Sequence, residues 1–178
     1  MIITKLKQFV KGTILENESM SKHTSYGIGG KVLAYITPFD RNELIKIIKL
    51  LNKNKIKCYF VGSGSNLLVN DRKINAIIIT PSKALKALSI KKNTIVADSG
   101  VMLGKLVKES IKHKLTGLES LVGVPGTLGG ALMMNAGAWG SEISNYLISV
   151  DVISYDGKIK TLYPDDIEFK YRYSSFKS

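Results

Sequence analysis

Residues 123–140 read Gly-Val-Pro-Gly-Thr-Leu-Gly-Gly-Ala-Leu-Met-Met-Asn-Ala-Gly-Ala-Trp-Gly, and this stretch decides the fold. Its six glycines exclude a long regular helix, because each costs about 1 kcal/mol relative to Ala in a helix interior. The Pro-Gly pair at 125–126 predicts a turn, and Thr127 then stands at the N-cap of a short helix whose N-terminus is available to an anion. Small residues at 129–131 leave room for a flat ligand or another backbone. A compact structural crossover is the alternative interpretation.

A second glycine-rich stretch, Val-Gly-Ser-Gly-Ser-Asn at 61–66, follows a predicted strand at 58–61. Glycines permit positive φ and close backbone approach, so consecutive N–H groups can converge on an anion there. The two serines and the asparagine add further hydrogen-bond donors. The stretch has neither the G-K-[ST] of a P-loop nor a G-x-G-x-x-G that opens a helix, and a tight structural turn remains an equal alternative.

Up to residue 80 the pattern alternates strand and helix, with strands predicted at 31–38, 58–61 and 74–80. The last of these is apolar on both faces, as in a sheet covered on both sides. A helix begins after Asp40, for which Glu43 predicts a capping box, and Phe39 and Leu44 predict a hydrophobic staple.

Beyond Pro81 the pattern changes to short strands at 87–90 and 94–97, a helix at 102–113 and a hairpin at 150–162. The helix is expected to bury Leu103, Leu106, Val107 and Ile111. Asp156-Gly157 predicts a type I′ turn in the hairpin, and residues 165–178 show no closing element. These features predict two α/β lobes, 1–80 and 81–178, rather than one doubly wound sheet.

The composition narrows the class of protein. The net charge is +12, but only three of the 26 basic residues are arginine, and lysines are spread along the whole chain. This pattern favours a solvated lysine-rich surface over a nucleic-acid-binding face, and its positive field attracts anionic ligands. The single cysteine, Cys58, excludes an intrachain disulfide and favours a reducing cytoplasm. With no secretion signal and no apolar run that spans a bilayer, we expect a soluble cytoplasmic protein without a membrane partner.

Four blocks resemble, in the right order, the motifs of the UDP-N-acetylenolpyruvoylglucosamine reductase (MurB) family. They are HTSYGIGG at 23–30, VGSGSNLLV at 61–69, GLESLVGVPGTLGGALMMNAGAWG at 117–140 and YRYSSF at 171–176. The resemblance runs from about residue 22 to the end of the sequence. It implies an α+β FAD-binding fold of two α/β subdomains, of the vanillyl-alcohol-oxidase (PCMH) type, with the cofactor between them and without the family's C-terminal substrate domain.

The resemblance also implies which residues hold FAD. Neither glycine-rich block contains the His or Cys that tethers the flavin in some proteins of this superfamily, so we expect FAD to be non-covalent. The cofactor-binding residues implied are Gly62, Ser63, Gly64, Ser65 and Asn66 around the pyrophosphate, and Gly123, Val124, Pro125, Gly126, Thr127, Gly130, Asn135, Ala136 and Gly137 near the flavin and ribityl chain.

The family's reaction is the NADPH-dependent reduction of UDP-N-acetylglucosamine enolpyruvate, and the resemblance assigns Arg172 to catalysis. A planar guanidinium can grip the substrate carboxylate and neutralise charge that develops beside it. The family's proton-donor Ser and second catalytic Glu stand in later stretches than this sequence contains, and Ser174 and Ser175 belong to the arginine motif. We therefore expect FAD binding without turnover. His23 and His113 do not predict a metal site.

Two other functions stay open at this point. One is an FAD-dependent oxidase of the same superfamily, against which the YRYSSF block argues. The other is a non-catalytic basic module that binds nucleic acid or an acidic partner. Visible absorption of the purified protein separates a flavoprotein from such a module. The oligomeric state is not predicted.

Overall fold

The computed structural model describes residues 2–177, which form two compact units. The first runs to Leu85 and also includes Ile153–Lys158, and the second contains Lys86–Val152 and the residues from Ile159 onward. The division predicted at Pro81 falls before this boundary, because the turn that follows Pro81 still packs Ala84 and Leu85 against the first unit's core. The hairpin at 150–162 is divided between the units, since Ile153 packs on that same core.

The first unit is built on a four-stranded sheet in the order β1-β2-β4-β3, in which β1 is antiparallel to β2 and the other neighbours are parallel. Three of these strands confirm the sequence prediction, and the N-terminal pair α1 and β1 was not predicted. The elements are α1 Ile2–Lys7, β1 Thr13–Glu16, β2 Val32–Thr37, α2 Arg41–Lys53, β3 Cys58–Phe60 and β4 Ile74–Ile79.

Strand β4 is covered on both faces, as its apolar sequence predicted. Ile77 and Ile79 pack in a cluster with α2 and Leu6, whereas Ile78 packs in a second cluster with Met20 and Val61. A central parallel strand buried in this way gives the 62–66 loop, which follows β3 directly, a rigid base.

Helix α2 begins as predicted at Asp40, whose carboxylate accepts a hydrogen bond from the Glu43 N–H (2.8 Å). The predicted capping box is only half formed, because among the described residues the Glu43 carboxylate accepts from the Phe39 N–H and not from the Asp40 N–H. This carboxylate is buried and accepts hydrogen bonds from the N–H groups of Lys11 (2.8 Å), Gly12 (3.0 Å) and Phe39 (3.1 Å). Phe39 itself is 62% exposed, so the predicted hydrophobic staple does not close this helix end.

The second unit consists of short elements around its own core. Its helices and strands are β5 Leu88–Lys91, β6 Thr94–Ala97, α3 Leu103–Lys112, α4 Leu128–Met133, β7 Gly137–Ala138, β8 Ser141–Glu142, β9 Val150–Ile153, β10 Ile159–Leu162, β11 Phe169–Lys170 and β12 Tyr173–Ser174. Helix α3 buries Leu103, Leu106 and Val107 as predicted, but Ile111 is 47% exposed. Ser110 takes the buried position instead, because its hydroxyl donates to the Val107 carbonyl (2.8 Å) and so leaves no unpaired polar group.

Two details of the hairpins differ from the sequence prediction. Gly157 has a φ of +77°, but Asp156 does not have positive φ, so the turn is not type I′. The Gly157 N–H donates to the Ser154 carbonyl (2.8 Å), and the Asp156 carboxylate accepts from the Ser154 hydroxyl and the Lys158 N–H, which favours a longer loop. The C-terminal residues also form the β11–β12 hairpin, whose two-residue strands are too short to produce a sequence period.

Candidate cofactor site

The 62–66 loop of the first unit contains a glycine that the protein's own packing requires. Gly64 has a φ of +71°, and a Cβ built there would stand 1.9 Å from the His23 carbonyl oxygen. The Gly64 carbonyl in turn accepts a hydrogen bond from the Ser25 N–H (3.2 Å). The loop therefore rests on the 23–30 segment, a contact that the sequence pattern did not predict.

Three consecutive N–H groups of this loop have no protein acceptor. Across residues 2–177, no backbone or side-chain acceptor is hydrogen-bonded to the N–H of Gly62, Ser63 or Gly64. The Ser63 hydroxyl lies 3.4 Å from the Ser65 hydroxyl. Consecutive N–H groups without a protein partner, beside small and polar side chains, are the arrangement that binds a phosphate.

A polar and aromatic cluster holds the segment on which the loop rests. The His23 ring stacks on Tyr35 of β2, with 3.8 Å between ring centroids, and its Nε2 lies 3.1 Å from a Glu18 oxygen. Burial disfavours the Glu18 charge, but hydrogen bonds from His23 and Lys22 outweigh it, so the pKa of Glu18 is lowered. Burial raises the pKa of Tyr35, helped by the Glu18 charge and opposed by a hydrogen bond with Thr80.

The two glycines that end the 23–30 segment pack against residues 70–72. A Cβ on Gly30 would stand 2.1 Å from the Arg72 carbonyl oxygen, and the Gly30 N–H donates to the Asn70 carbonyl (2.8 Å). The Gly29 N–H donates to the Asp71 carboxylate (3.1 Å). These glycines fix the chain that follows the 62–66 loop.

In the second unit, α4 begins at the predicted N-cap, but its N-terminus offers no free donor. The Thr127 hydroxyl accepts from the Gly130 N–H (3.3 Å). The Leu128 N–H donates to Val101 (2.8 Å) and the Gly129 N–H to Ser99 (2.8 Å). The predicted N-cap is confirmed, whereas the expectation that this helix end is available to an anion is wrong, because the protein already uses the N–H groups of its first turn.

The residues just before α4 do offer donors. In the described part of the chain, no acceptor is hydrogen-bonded to the N–H of Gly123, Gly126 or Thr127, whereas the Val124 N–H is bonded to the Leu121 carbonyl (3.0 Å). A Cβ on Gly123 would meet nothing within 4 Å, and its φ is not positive. The fold therefore gives no reason for a glycine at position 123.

The two glycines in the first turn of α4 differ in their surroundings. A Cβ on Gly129 would stand 2.9 Å from the Ser99 Cβ, so close packing within the protein explains this glycine. A Cβ on Gly130 would meet only the Thr127 hydroxyl at 3.5 Å, an ordinary contact. Gly130, like Gly123, leaves space that the protein does not fill.

Asn135 has a structural role that the sequence did not reveal. It is 2% exposed, with a φ of +44°, and its amide nitrogen donates to Glu142 (2.7 Å) and to the Lys170 carbonyl (3.3 Å). Its amide oxygen accepts from the Ser144 N–H (3.4 Å). The following residues, Ala136 and Gly137, enter the β7–β8 hairpin. The side chain of Asn135 thus ties the end of α4 to the arginine motif.

Arg172 stands at the tip of the β11–β12 hairpin and is exposed, with a φ of +54°. A non-glycine residue in this region is uncommon, and such positions often occur at functional sites. Tyr171, the other residue of the turn, is 85% exposed. The hairpin presents both side chains outward from a buried base.

The two serines of the arginine motif build that base. The buried Ser174 hydroxyl donates to the Met133 carbonyl (3.0 Å), and the Ser175 hydroxyl accepts from the Glu168 N–H (3.1 Å). Phe176 packs into the core of the second unit. These contacts give Ser174 and Ser175 structural roles.

Each unit therefore has its own set of N–H donors beside glycines. The donors of the 62–66 loop suit a phosphate, and the open positions Gly123 and Gly130 leave space beside the backbone of the second unit. Within residues 2–177, no group of His, Cys, Asp and Glu has the arrangement of a metal site. Over the same residues, no helix has both the length and the apolar character needed to cross a membrane.

Comparison with protein families agrees with this geometry. Residues 32–163 match the family described as FAD binding domain. The UDP-N-acetylenolpyruvoylglucosamine reductase of Caldanaerobacter subterraneus is 38% identical over 175 residues, which are 98% of this chain and 58% of that protein. That of Clostridium botulinum (strain Alaska E43) is 41% identical over 162 residues, 91% of this chain and 53% of that protein. The chain spans a little more than half the length of these relatives.

Solved structures show the same fold. The reductase (MurB) of Thermus caldophilus superimposes with a TM-score of 0.74 at 29% identity, over 93% of this chain and 57% of that one. A cholesterol oxidase superimposes with a TM-score of 0.68 at 17% identity, over 86% of this chain and 33% of that one, a likeness of fold alone. The predicted α+β FAD-binding fold and the resemblance to the reductase family are confirmed.

Proposed function

Because the chain belongs to the family of FAD-binding domains, we propose that it holds FAD without a covalent bond through its two glycine-rich segments. The N–H groups of Gly62, Ser63 and Gly64 bind the pyrophosphate, with the Ser65 and Asn66 side chains beside them. The Gly123–Thr127 stretch and Gly130 lie along the flavin and ribityl chain. The backbone of Ala136 and Gly137 also lies near the flavin and ribityl chain.

The observation that carries this proposal is the set of consecutive N–H groups without a protein acceptor in the 62–66 loop. A dinucleotide pyrophosphate bears charge that backbone donors neutralise well. No basic side chain stands in this loop, so the phosphate oxygens depend on the N–H groups and on the positive field of the whole chain, whose net charge is +12.

For a longer protein that contains these residues, we propose NADPH-dependent reduction of UDP-N-acetylglucosamine enolpyruvate, the step of peptidoglycan precursor synthesis that gives UDP-N-acetylmuramate. FAD supplies the hydride when it is bound. Arg172 holds the substrate carboxylate in a two-point contact and stabilises the negative charge that develops next to it. Its exposed place at a hairpin tip, above the buried Ser174, suits a residue that reaches for a substrate.

The experiment that tests cofactor binding uses the chain itself. We expect the purified protein to be yellow, or to bind added FAD with quenching of the flavin fluorescence, and we expect mild denaturation to release free FAD. Failure to bind FAD would contradict the proposal. Flavin that stays on the denatured polypeptide would contradict only the non-covalent assignment.

The role of Arg172 is tested in a longer protein that carries this chain. Arg172→Ala should leave the FAD content and the reduction of the flavin by NADPH nearly unchanged, but slow the reoxidation by the enolpyruvyl substrate about 10²- to 10³-fold. Arg172→Lys, the matched control, should recover only part of the rate, because it keeps the charge and loses the planar fork. Rapid mixing of reduced protein with substrate measures this step. A wild-type rate of reoxidation in Arg172→Ala would contradict the catalytic role of Arg172.

A further inference from the structure

The 62–66 loop meets the rest of the first unit at His23. The missing side chain of Gly64 is replaced by the His23 carbonyl oxygen, which would stand 1.9 Å from a Cβ at that position. The adjacent Ser25 N–H donates to the Gly64 carbonyl (3.2 Å). Displacement of the backbone at 23–25 would therefore move Gly64 and the donors beside it.

The imidazole of His23 is held from two sides. Its ring lies nearly parallel to the Tyr35 ring, at 13° and with 3.8 Å between centroids. Its Nε2 lies 3.1 Å from a Glu18 oxygen. Tyr35 belongs to the central strand β2 and is buried in the cluster that also contains Met20 and Val61, the residue directly before the loop.

The segment that carries His23 is hydrogen-bonded at its start, whereas the residues after His23 are largely exposed. The Met20 N–H donates to the Gly30 carbonyl (3.0 Å) and the Ser21 N–H to the Gly29 carbonyl (3.1 Å). Residues 25–28 are exposed, and a Cβ on Gly27 would meet nothing within 4 Å. The His23 ring therefore fixes on the sheet the same residue whose carbonyl lies beside Gly64.

We propose that His23 is a positioning residue for the pyrophosphate of FAD. Its ring, held by Tyr35 and Glu18, fixes its own carbonyl, and that carbonyl sets the place of Gly64. The N–H groups of Gly62, Ser63 and Gly64 are then directed at the phosphates before the cofactor arrives, which lowers the cost of ordering them on binding. This inference rests on the proposed function of the loop, and His23 itself does not touch the cofactor.

The test compares His23→Ala with His23→Phe and with His113→Ala. The phenylalanine keeps a ring to stack on Tyr35 and loses the bond to Glu18. His113 is the matched control, because it is exposed in the second unit and its ring contacts the Glu109 carbonyl (2.9 Å). For each variant, the dissociation constant for FAD is measured by fluorescence quenching, the thermal unfolding midpoint without FAD by circular dichroism, and the environment of the bound pyrophosphate by phosphorus NMR.

We expect His23→Ala to weaken FAD binding about tenfold, the equivalent of about one well-placed hydrogen bond, and to shift the phosphorus resonances. The dissociation constant of His23→Phe should lie within about threefold of the wild-type value, and that of His113→Ala should equal the wild-type value. Wild-type affinity and wild-type phosphorus resonances in His23→Ala would overturn the inference. If His23→Ala does not fold, His23→Gln replaces it, because glutamine keeps a donor for Glu18 and loses the ring. The same change in FAD affinity and in the phosphorus resonances is then expected. A wild-type chain that binds no FAD would instead overturn the proposed function, which is a different outcome.

Discussion

The two glycine-rich segments look alike as sequences, but their glycines serve different purposes. In the 62–66 loop, the space beside Gly64 is filled by the protein itself, through the His23 carbonyl. In the 117–140 segment, the space beside Gly123 is empty and that beside Gly130 nearly so, whereas Gly129 packs closely on Ser99. Only a glycine that the fold does not require supports the presence of a ligand.

The two segments also differ in their backbone N–H groups, and in the opposite direction: the loop with the filled space has the unbonded N–H groups. Within the described residues, the N–H groups of Gly62, Ser63 and Gly64 have no acceptor, whereas those of Leu128, Gly129 and Gly130 at the start of α4 are all bonded. The loop therefore offers three consecutive donors to an anion, whereas the second segment offers donors only before α4, at Gly123, Gly126 and Thr127, together with the open space beside Gly123. Four substitution experiments test this comparison.

The largest effect is expected for Gly64→Ala. The methyl group would overlap the His23 carbonyl oxygen, and the φ of +71° is itself unfavourable for alanine. Together these should lower the free energy of unfolding by about 3 kcal/mol or more. Gly27→Ala is the matched control, because Gly27 has a similar φ of +68° and open space around it, so it should cost only about 1 kcal/mol.

Urea denaturation of the chain without FAD measures both variants. Equal losses in Gly64→Ala and Gly27→Ala would show that the His23 contact is unimportant, and that the two glycine-rich segments differ less than the structure indicates.

Asn135→Ala should have the next largest effect, because it breaks the tie between α4 and the arginine motif. The substitution leaves the half-buried Glu142 carboxylate, the Lys170 carbonyl and the Ser144 N–H without their partner. Loss of these three part-buried bonds should cost about 2–3 kcal/mol of unfolding free energy. Asn93→Ala, which removes an exposed asparagine of the same unit, provides the comparison. A loss below about 0.5 kcal/mol in Asn135→Ala would mean that its bonds are replaced by water.

A smaller effect, of opposite sign at adjacent positions, is expected in the first turn of α4. Gly129→Ala brings a Cβ to 2.9 Å from the Ser99 Cβ and should destabilise the chain by about 1–2 kcal/mol. Gly130→Ala meets no close neighbour and should stabilise it by about 0.5–1 kcal/mol, since alanine favours the helix. Thermal unfolding of the two variants side by side measures the difference. The same sign for both would contradict the division between packed and open glycines.

The smallest effect on stability is expected for Gly123→Ala, within about 0.5 kcal/mol of the wild type, because nothing lies near the added methyl group. If the open space belongs to the flavin, however, the variant should lose FAD affinity about tenfold or more through overlap with the ligand. Titration with FAD measures this loss. Undiminished affinity would remove Gly123 from the proposed site and leave the binding to the 62–66 loop.

Local patterns predicted much of the fold. Three of the four strands of the first unit, both long helices and the caps at Asp40 and Thr127 are where the sequence indicated, because hydrophobic period and capping depend on residues a few positions apart. The predicted burial of Ile111 and the predicted staple contact of Phe39 were wrong, since burial depends on neighbours that are distant along the chain. The β11–β12 hairpin could not be predicted, because two-residue strands carry no period.

By itself, the sequence determined the order of the four motif blocks, the non-helical character of the glycine-rich stretches and the family to which the chain belongs. Only the tertiary structure decided which glycines face the protein and which face open space, and which N–H groups remain without acceptors. The reason is physical: Gly64 meets His23, Gly129 meets Ser99 and Asn135 meets Lys170, and each partner stands far away along the chain. Close approach between such residues is set by packing, which no local pattern of residues records.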